Sequence, residues 1–227
     1  YLAQRYIKNP MLIHNRKFDF RTYLVIANMD PLIVLYHDGF IRMSMSEYDP
    51  HSGDRSTHLT NLKVAQKTMD TRNFTKSEQE MLLKDQSWSY THLHNYLMNL
   101  GLVGEDWLDN YLRKKLKENM FHIVRMNLDK LMKHPQVFEL FGLDFLLDTD
   151  LNLWYIEANL TPSISGTSDE KRELNTKLIS DLVDIEYALM YKADLDNILE
   201  DTNFEVVFDE RQEGMKQYAG LISEECV

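Results

Sequence analysis

The sequence has a single cysteine, Cys226, and no long hydrophobic run. One cysteine excludes an internal disulfide framework and is typical of a reducing compartment. The longest apolar stretches, such as Leu24–Ala27, are far below the roughly 20 residues that cross a bilayer. Eight glycines and five prolines exclude a fibrous or low-complexity chain. There is also no leader in which charged residues precede apolar ones, so we expect a soluble cytosolic protein without a membrane partner.

Positive charge is scarce as well. The chain has 25 lysines and arginines against 36 aspartates and glutamates, which gives a formal net charge of −11. Binding to nucleic acid depends on cations that neutralise phosphates, so a nucleic-acid partner is disfavoured. The clearest basic patch is Arg113-Lys114-Lys115 with Lys117, and it also fits the solvated face of a helix. Hydrophobic residues make up 44% of the chain, which is enough for the core of one domain or of a large domain fragment.

The first third of the chain is predicted to be sheet. Residues 18–26 alternate between two faces with the period of a strand. Turn signals at Asn28 to Pro31 and at His37 to Gly39 predict two further, separate strands over 32–36 and 40–46.

The middle and the end of the chain mix helices with strands. Apolar residues recur at helical spacing over 90–100 and over 105–133, and Gly101 is expected to end the first of these helices. The other predicted elements are a strand pair over 138–147 and 151–158, a helix that begins near Ser168, and a weakly patterned acidic tail after about Asn197. The pattern as a whole predicts an α+β fold.

The predicted strand pair carries two acids and an amide on one sheet face. If a loop over 149–152 joins the strands, the register places Asp144 directly opposite Glu157, with Cβ atoms about 5 Å apart. Asn159 lies two residues further on and shares their face. Two carboxylates so close require a cation or a proton between them, and an all-oxygen set suits Mg²⁺. An ordinary face with solvated acids fits the same pattern. The opposite face is predicted to be filled by Phe145, Leu147, Trp154 and Ile156.

A second group of polar residues lies in the predicted sheet of the first third. Lys17, Asp19 and Arg21 share one strand face, and Arg42 lies on a neighbouring strand. Lysine and arginine can contact phosphate oxygens, and an acid can accept from ribose hydroxyls. An exposed strand of alternating charge fits this pattern too. The Thr60–Asn61 pair supplies a hydroxyl and an amide that could orient a ligand or simply cap a helix.

From Gln4 to about Leu189 the sequence resembles the tubulin–tyrosine-ligase-like family. Six motifs carry the resemblance in order: Gln4-Arg5-Tyr6-Ile7, Lys17 to Arg21, Gly39 to Arg42, His58 to Asn61, Phe141 to Asp144, and Glu157-Ala158-Asn159 before Thr161-Pro162-Ser163. The resemblance implies an α+β fold that is the C-terminal portion of an ATP-grasp fold, mostly antiparallel sheet with flanking helices. Residues 1–195 would form this portion without the N-terminal lobe, and residues 196–227 would be an acidic peripheral tail.

The resemblance also implies a role for each motif. Asp144, Glu157 and Asn159 would bind the magnesium ions that bridge ATP phosphates. Arg21 and Arg42 would be catalytic, holding the γ-phosphate and then an acyl phosphate. The residues expected at the nucleotide are Gln4, Tyr6, Ile7, Lys17, Asp19, Thr60 and Asn61.

The activity implied is that of an ATP-dependent ligase that adds glutamate or glycine to tubulin tails through an acyl-phosphate intermediate. Its partners would be tubulin and microtubules in the cytoplasm and cytoskeleton, with cilia and other axonemal proteins as further candidates. The alternative is a non-catalytic, ligase-derived subunit of an axonemal or microtubule-associated complex. Three features favour the alternative: the absent lobe, the acidic surface, and Leu62-Lys63, which stands where the family usually has an aromatic and then a small residue.

Overall fold

A computed structural model describes residues 4–71, 75–77, 87–131, 134, 137–164, 166 and 168–215. Its strands are β1 (Leu12–Ile13), β2 (Arg16–Met29), β3 (Leu32–Glu47), β4 (Ser87–Trp88), β5 (Glu139–Leu147), β6 (Leu153–Asn159) and β7 (Phe204–Asp209). Within this part of the chain they form one antiparallel sheet in the order β4-β3-β2-β5-β6, with β1 paired to β2 and β7 paired to β3.

Helices flank both faces of the sheet. They are α1 (Arg55–His58), α2 (Leu62–Thr71), α3 (Tyr90–Asn99), a π-helical segment (Trp107–Arg113) that continues into α4 (Lys114–Arg125), a 3₁₀ turn (Leu128–Lys130), α5 (Asp169–Tyr191) and α6 (Leu195–Glu200). None of the helices in the described ranges has the length and apolar character needed to cross a membrane. The mixture of helices and antiparallel sheet confirms the predicted α+β class.

The central strand β2 is buried on both faces, and its sequence is accordingly a continuous apolar run from Tyr23 to Ala27. Phe18 and Phe20 belong to a core that contains the buried leucines of α3 and α4. Tyr23 and Val25 point the other way, into a core formed with Leu178 and its neighbours on α5. The two apolar layers each remove large side chains from water, so the sheet is held between helices on both sides.

The predicted helix over 90–100 is confirmed. The Ser89 side chain accepts a hydrogen bond from the amide of His92 at the start of α3, and Gly101 adopts a φ of +69° just after its end. The helix predicted over 105–133 keeps its apolar stripe, but it divides into the π-helical segment, α4 and the 3₁₀ turn. The π-helical geometry lets Trp107, Leu108 and Leu112 all enter the core.

The turn predicted at His37 to Gly39 is wrong, because β3 runs without interruption through these residues. The register against β2 shifts by one residue there, between the Arg21–Phe40 and Tyr23–His37 pairs. The Asp38-Gly39 signal therefore marks a β-bulge, which bends a strand without reversing it. Glycine is required at the bulge, since a Cβ on Gly39 would lie 1.9 Å from the carbonyl oxygen of Arg21.

The β5–β6 hairpin also contains a shift. Asp144 pairs with Glu157, as the sequence predicts, but Leu147 pairs with Leu153 because the register moves by one residue just after Asp144. Trp154 consequently lies opposite Leu146, is 46% exposed and donates from its Nε1 to Asp148, 2.8 Å away. Its predicted place in the apolar layer is therefore wrong.

The region from residue 196 onwards differs from the predicted peripheral tail over its described part. After α6, β7 pairs with β3, and it buries Phe204 and Phe208 in the two opposite cores. The strand is only six residues long and follows an acidic stretch, so its apolar residues did not stand out as a strand. Residues 216–227 lie outside the described ranges.

The basic patch predicted on a helix face is largely paired with acids. Arg113 binds Asp38, Lys115 binds Glu118 and Lys117 binds Glu205. These pairs place an acid beside three of the four cations of the patch.

Candidate functional site

Charged residues of four adjacent strands meet on the sheet face that also carries α5. The register places Asp19 opposite Arg42 across β2 and β3, and Arg21 opposite Asp144 across β2 and β5. Glu157 of β6 is in turn opposite Asp144. Antiparallel pairing thus brings residues far apart in sequence into one row across the sheet.

Two arginines and two carboxylates form a compact cluster in this row. Arg21 donates to Asp144 from Nε at 2.6 Å and from Nη2 at 3.1 Å. Arg42 donates to Asp19 from Nε and Nη2, both at 2.7 Å, and its Nη2 also lies 2.8 Å from Asp144 Oδ2. We call Arg21, Arg42, Asp19 and Asp144 the arginine–carboxylate cluster. Two-pronged guanidinium contacts of this kind fix the orientation of both partners.

The cluster is largely shielded from water. Burial alone would lower the pKa of the Arg42 guanidinium, but Asp19 and Asp144 outweigh burial and raise its pKa above the ordinary value. Arg42 is therefore a charged group, and its bonds to Asp19 hold it in place at the sheet surface. A preoriented cation in a partly dry site stabilises anionic oxygens more strongly than a solvated one.

Neighbouring residues fix the position of Arg21. A Cβ on Gly142 would lie 3.0 Å from Arg21 Cδ and 2.8 Å from Pro162 Cβ, so a larger residue there would displace the arginine. On the other face, the buried Tyr90 hydroxyl donates to the Arg21 carbonyl at 3.0 Å and bonds with Thr22. The glycine of the Phe141 to Asp144 motif thus has a packing role beside Arg21.

Asp144, Glu157 and Asn159 form an oxygen-rich group beside the cluster. The Asn159 amide nitrogen lies 3.4 Å from Asp144 Oδ2, and Asp144 and Glu157 are direct strand partners. Glu157 is exposed and bonds with no side chain in the described ranges. The described residues contain no group of three or more acidic, histidine or cysteine side chains that could hold a metal. Two carboxylates and an amide fit Mg²⁺, which completes its shell with substrate phosphates and water.

A second group of predicted nucleotide residues lies around Tyr6. Lys17 Nζ is 3.4 Å from the Tyr6 hydroxyl and 4.8 Å from its ring centroid. The same hydroxyl is 2.9 Å from His58 Nδ1, and Thr60 donates to Asp19. Burial lowers the pKa of the Lys17 ammonium, while Asp19 opposes that shift. Thr60 and Asp19 link this group to the arginine–carboxylate cluster.

The remaining predicted nucleotide residues are less closely associated with the cluster. Gln4 is exposed, and its side chain makes no contact with the cluster in the described part of the chain. Ile7 is half-buried in the same extended segment. The backbone carbonyl of Asn61 accepts hydrogen bonds from the amides of Val64 and Ala65 at the start of α2.

One residue of the site was not predicted. Lys171, in the first turn of α5, is buried, and Arg42 and Arg21 both act on its pKa. A usable signal was present in the sequence, because Lys171 continues the spacing of Asn175, Leu178 and Leu182 on the buried face of α5. A lysine in register with a buried helix face is unusual, since this residue is rarely buried without a partner.

Comparison with known proteins identifies a family and several relatives of the chain. The model of the tubulin-tyrosine ligase family matches residues 1–195. The chain is 35% identical over 190 residues to human "Inactive polyglycylase TTLL10", covering 81% of the chain and 27% of that protein. It is 33% identical over 198 residues to "Protein polyglycylase TTLL10" of Macaca fascicularis, covering 85% of the chain and 30% of that protein. It is 36% identical over 203 residues to mouse "Probable tubulin polyglutamylase TTLL9", covering 85% of the chain and 40% of that protein.

The match takes in most of the chain but well under half of each of these relatives. It includes every strand of the site and the first turn of α5, because the family model extends to residue 195. The chain belongs to the tubulin-tyrosine ligase family.

Proposed function

We propose that the protein containing this chain is an ATP-dependent ligase that adds glutamate or glycine to tubulin tails at microtubules. The observation that supports this most is the arginine–carboxylate cluster with Glu157 and Asn159 at its edge. Cations preoriented for phosphate oxygens stand directly beside an oxygen set suited to Mg²⁺. The printed names of the relatives include both polyglycylases and a polyglutamylase, so the added amino acid is left as either of the two.

The reaction has two steps, phosphorylation of a carboxylate and then formation of an amide. An acceptor carboxylate oxygen attacks the γ-phosphorus of ATP, and the bond from that phosphorus to the ADP oxygen breaks. The amine of the second substrate then attacks the acyl carbon of the acyl phosphate, inorganic phosphate leaves, and the nitrogen loses a proton as the amide forms. Arg21 and Arg42 hold the transferring phosphoryl oxygens, whose negative charge they stabilise.

The other predicted residues bind and orient. Asp144, Glu157 and Asn159 would hold magnesium, which when bound would offset negative charge on the phosphates. Asp19 and Asp144 keep the two arginines extended over the sheet. Lys17 and Tyr6 lie beside each other where a nucleotide base or phosphate would be bound. Since Arg42 and Thr60 already engage Asp19, contact between Asp19 and a ribose requires an exchange of partners.

The test is incorporation of labelled glutamate or glycine into microtubules by the full-length protein with ATP and Mg²⁺. Glu157→Gln is the variant of choice, because Glu157 is exposed and its loss removes one charge without unpairing a buried group. We expect it to lower incorporation about 100-fold or more, as for loss of a group that stabilises transition-state charge. Glu139→Gln is the control, since Glu139 is an exposed acid at the far end of β5, and we expect no change.

One observation favours a second candidate function, a non-catalytic subunit derived from a ligase. The human relative at 35% identity bears the name of an inactive polyglycylase. If neither amino acid is incorporated under any ATP and Mg²⁺ condition, the ligase proposal is wrong and the structural role is favoured. Incorporation that Glu157→Gln leaves unchanged would show that the proposed magnesium group does not take part.

A further inference from the structure

Lys171 is a buried lysine in the first turn of α5. Its side chain is directed onto the sheet, where its Nζ lies 4.2 Å from the centroid of the Phe40 ring. Phe40 pairs with Arg21 across the strands and precedes Arg42 by two residues, so it shares their sheet face. Only 8% of Lys171 is exposed. The ammonium group is thus held at the edge of the arginine–carboxylate cluster.

No acceptor satisfies this ammonium group. Within the described residues, its Nζ forms no hydrogen bond or ion pair, and its one attractive contact is with the Phe40 ring. Asp19 and Asp144 are already engaged by the two arginines. Buried lysines almost always have a partner, because an unpaired buried charge is unfavourable.

The surroundings of Lys171 make its position more unfavourable still. Burial first, and then the charges of Arg42 and Arg21, lower the pKa of the Lys171 ammonium to about 8. A cation in the first turn of a helix is also opposed by the helix dipole. The three cations Arg21, Arg42 and Lys171 exceed the two carboxylates of the cluster by one charge. A purely structural side chain at this position would be expected to be apolar, like Leu178 and Leu182 on the same helix face.

We propose that Lys171 is a third cationic ligand of the site, which binds an oxyanion together with Arg21 and Arg42. This inference rests on the proposed function and makes it more specific. The oxyanion has two possible sources: a phosphate of the nucleotide, or the carboxylate of the incoming amino acid. In either case the missing acceptor of the Lys171 ammonium is supplied by the substrate, and Lys171 is a binding residue for it.

The test measures binding by the full-length protein in two arms. The first arm titrates a non-hydrolysable ATP analogue with Mg²⁺, and the second titrates free glutamate or glycine in the presence of that analogue. We expect Lys171→Met to weaken binding about tenfold in one arm, as for loss of one charged hydrogen bond. The arm that responds identifies the source. Arg172→Gln is the matched control, because Arg172 is the exposed neighbour of Lys171 and its ion pair is with the exposed Asp169.

Two further measurements, the affinity of Lys171→Arg and the pH dependence of binding, distinguish a binding role of Lys171 from a structural one. Lys171→Arg is expected to restore affinity at pH 7, because it returns a cation to the same place. Between pH 7 and 9.5, affinity of the unsubstituted protein should fall as Lys171 loses its proton, whereas Lys171→Arg should retain it. Arg42 and Arg21 act on Lys171, and arginine side chains keep their charge over this pH range. Tyr23, which donates to Asn175 one turn further along α5, has its pKa raised to about 12 by burial. Lys17 titrates in both proteins, so the comparison removes its contribution.

Each outcome decides between the proposals. If Lys171→Met binds both probes as well as the unsubstituted protein does, the inference is overturned and the proposed function stands. If Lys171→Met weakens binding but Lys171→Arg does not restore it, the role of Lys171 is packing and the inference is again overturned. If the unsubstituted protein binds neither probe, both the proposed function and the inference fail.

Discussion

Asp144 is the most heavily bonded side chain of the site, since it accepts from Arg21, Arg42 and Asn159 at once. Its substitution would remove the carboxylate partner of the buried Arg21 guanidinium, and loss of one partner costs about 3–5 kcal/mol in comparable buried pairs. A loss of activity on changing Asp144 would therefore mix folding with chemistry. Glu157 is exposed, and for that reason it reports on binding alone.

Lys171 is expected to cost stability in return for its function. Its pKa of about 8 lies below the value of about 10.4 of an unfolded lysine. Between these two pH values the unfolded chain binds more protons, so the free energy of unfolding contributed by this group rises with pH. Below pH 8 the folded protein carries the full penalty of a buried, charged lysine.

We therefore expect Lys171→Met to raise the free energy of unfolding at pH 7, with a smaller gain at pH 9.5. Urea unfolding of both proteins at the two pH values measures the difference. Arg172→Met is the control, because an exposed arginine stays charged throughout and should show no such change with pH. A Lys171→Met protein that is less stable at pH 7 would contradict this account and indicate that the lysine holds the fold together.

At the scale of elements, β-bulges decide which side chains reach the site. The bulge in β3 lies beside Arg21, between His37 and Phe40. Regular alternation then resumes from Phe40 to Arg42. A second shift in register lies between β5 and β6, just after the Asp144–Glu157 pair. Beyond this shift, Trp154 is exposed to solvent. Alternation alone predicts neither shift, because a bulge leaves the sequence period intact on each side of it.

Gly39→Ala should destabilise the protein through the β3 bulge. Its Cβ would fall 1.9 Å from the Arg21 carbonyl oxygen, which is backbone and can move only with the strand. Overpacking of this kind costs about 1–3 kcal/mol or more. Gly53→Ala is the matched control, since nothing lies within 4 Å of its added Cβ, and we expect a change within about 0.5 kcal/mol. Equal midpoints in urea for the two variants would be evidence against the bulge.

The sequence predicts helices and strands correctly where apolar residues recur with a single period, that of a strand or that of a helix. The alternation of β2 and the stripe of α5 identify both elements, and the acids of the hairpin locate the partners Asp144 and Glu157. Lys171 escaped prediction because its significance depends on which strands lie under α5, and that contact is set by tertiary packing. The strand at Phe204–Asp209 escaped for a related reason, since its few buried aromatics acquire partners only when β3 is present.

At the scale of the whole molecule, the sheet separates two tasks. The face towards α3 and α4 is an apolar core, and the face towards α5 is apolar at one end and charged at the other. The charged end carries residues of β2, β3, β5 and β6, together with Lys171 of α5. Helices on both sides hold this sheet in place, so the cations are oriented before any ligand arrives.

The central claim is that Asp144, Glu157 and Asn159 hold a divalent cation together with a nucleotide. The most direct measurement is Mn²⁺ binding to the full-length protein by electron paramagnetic resonance, with and without a non-hydrolysable ATP analogue, because Mn²⁺ accepts the same oxygen ligands as Mg²⁺. We expect binding that depends on the nucleotide and that weakens about tenfold or more in Glu157→Gln, as for loss of one charged ligand, but not in Glu139→Gln. Mn²⁺ affinity that is unchanged in Glu157→Gln, or absent with the nucleotide, would contradict the account.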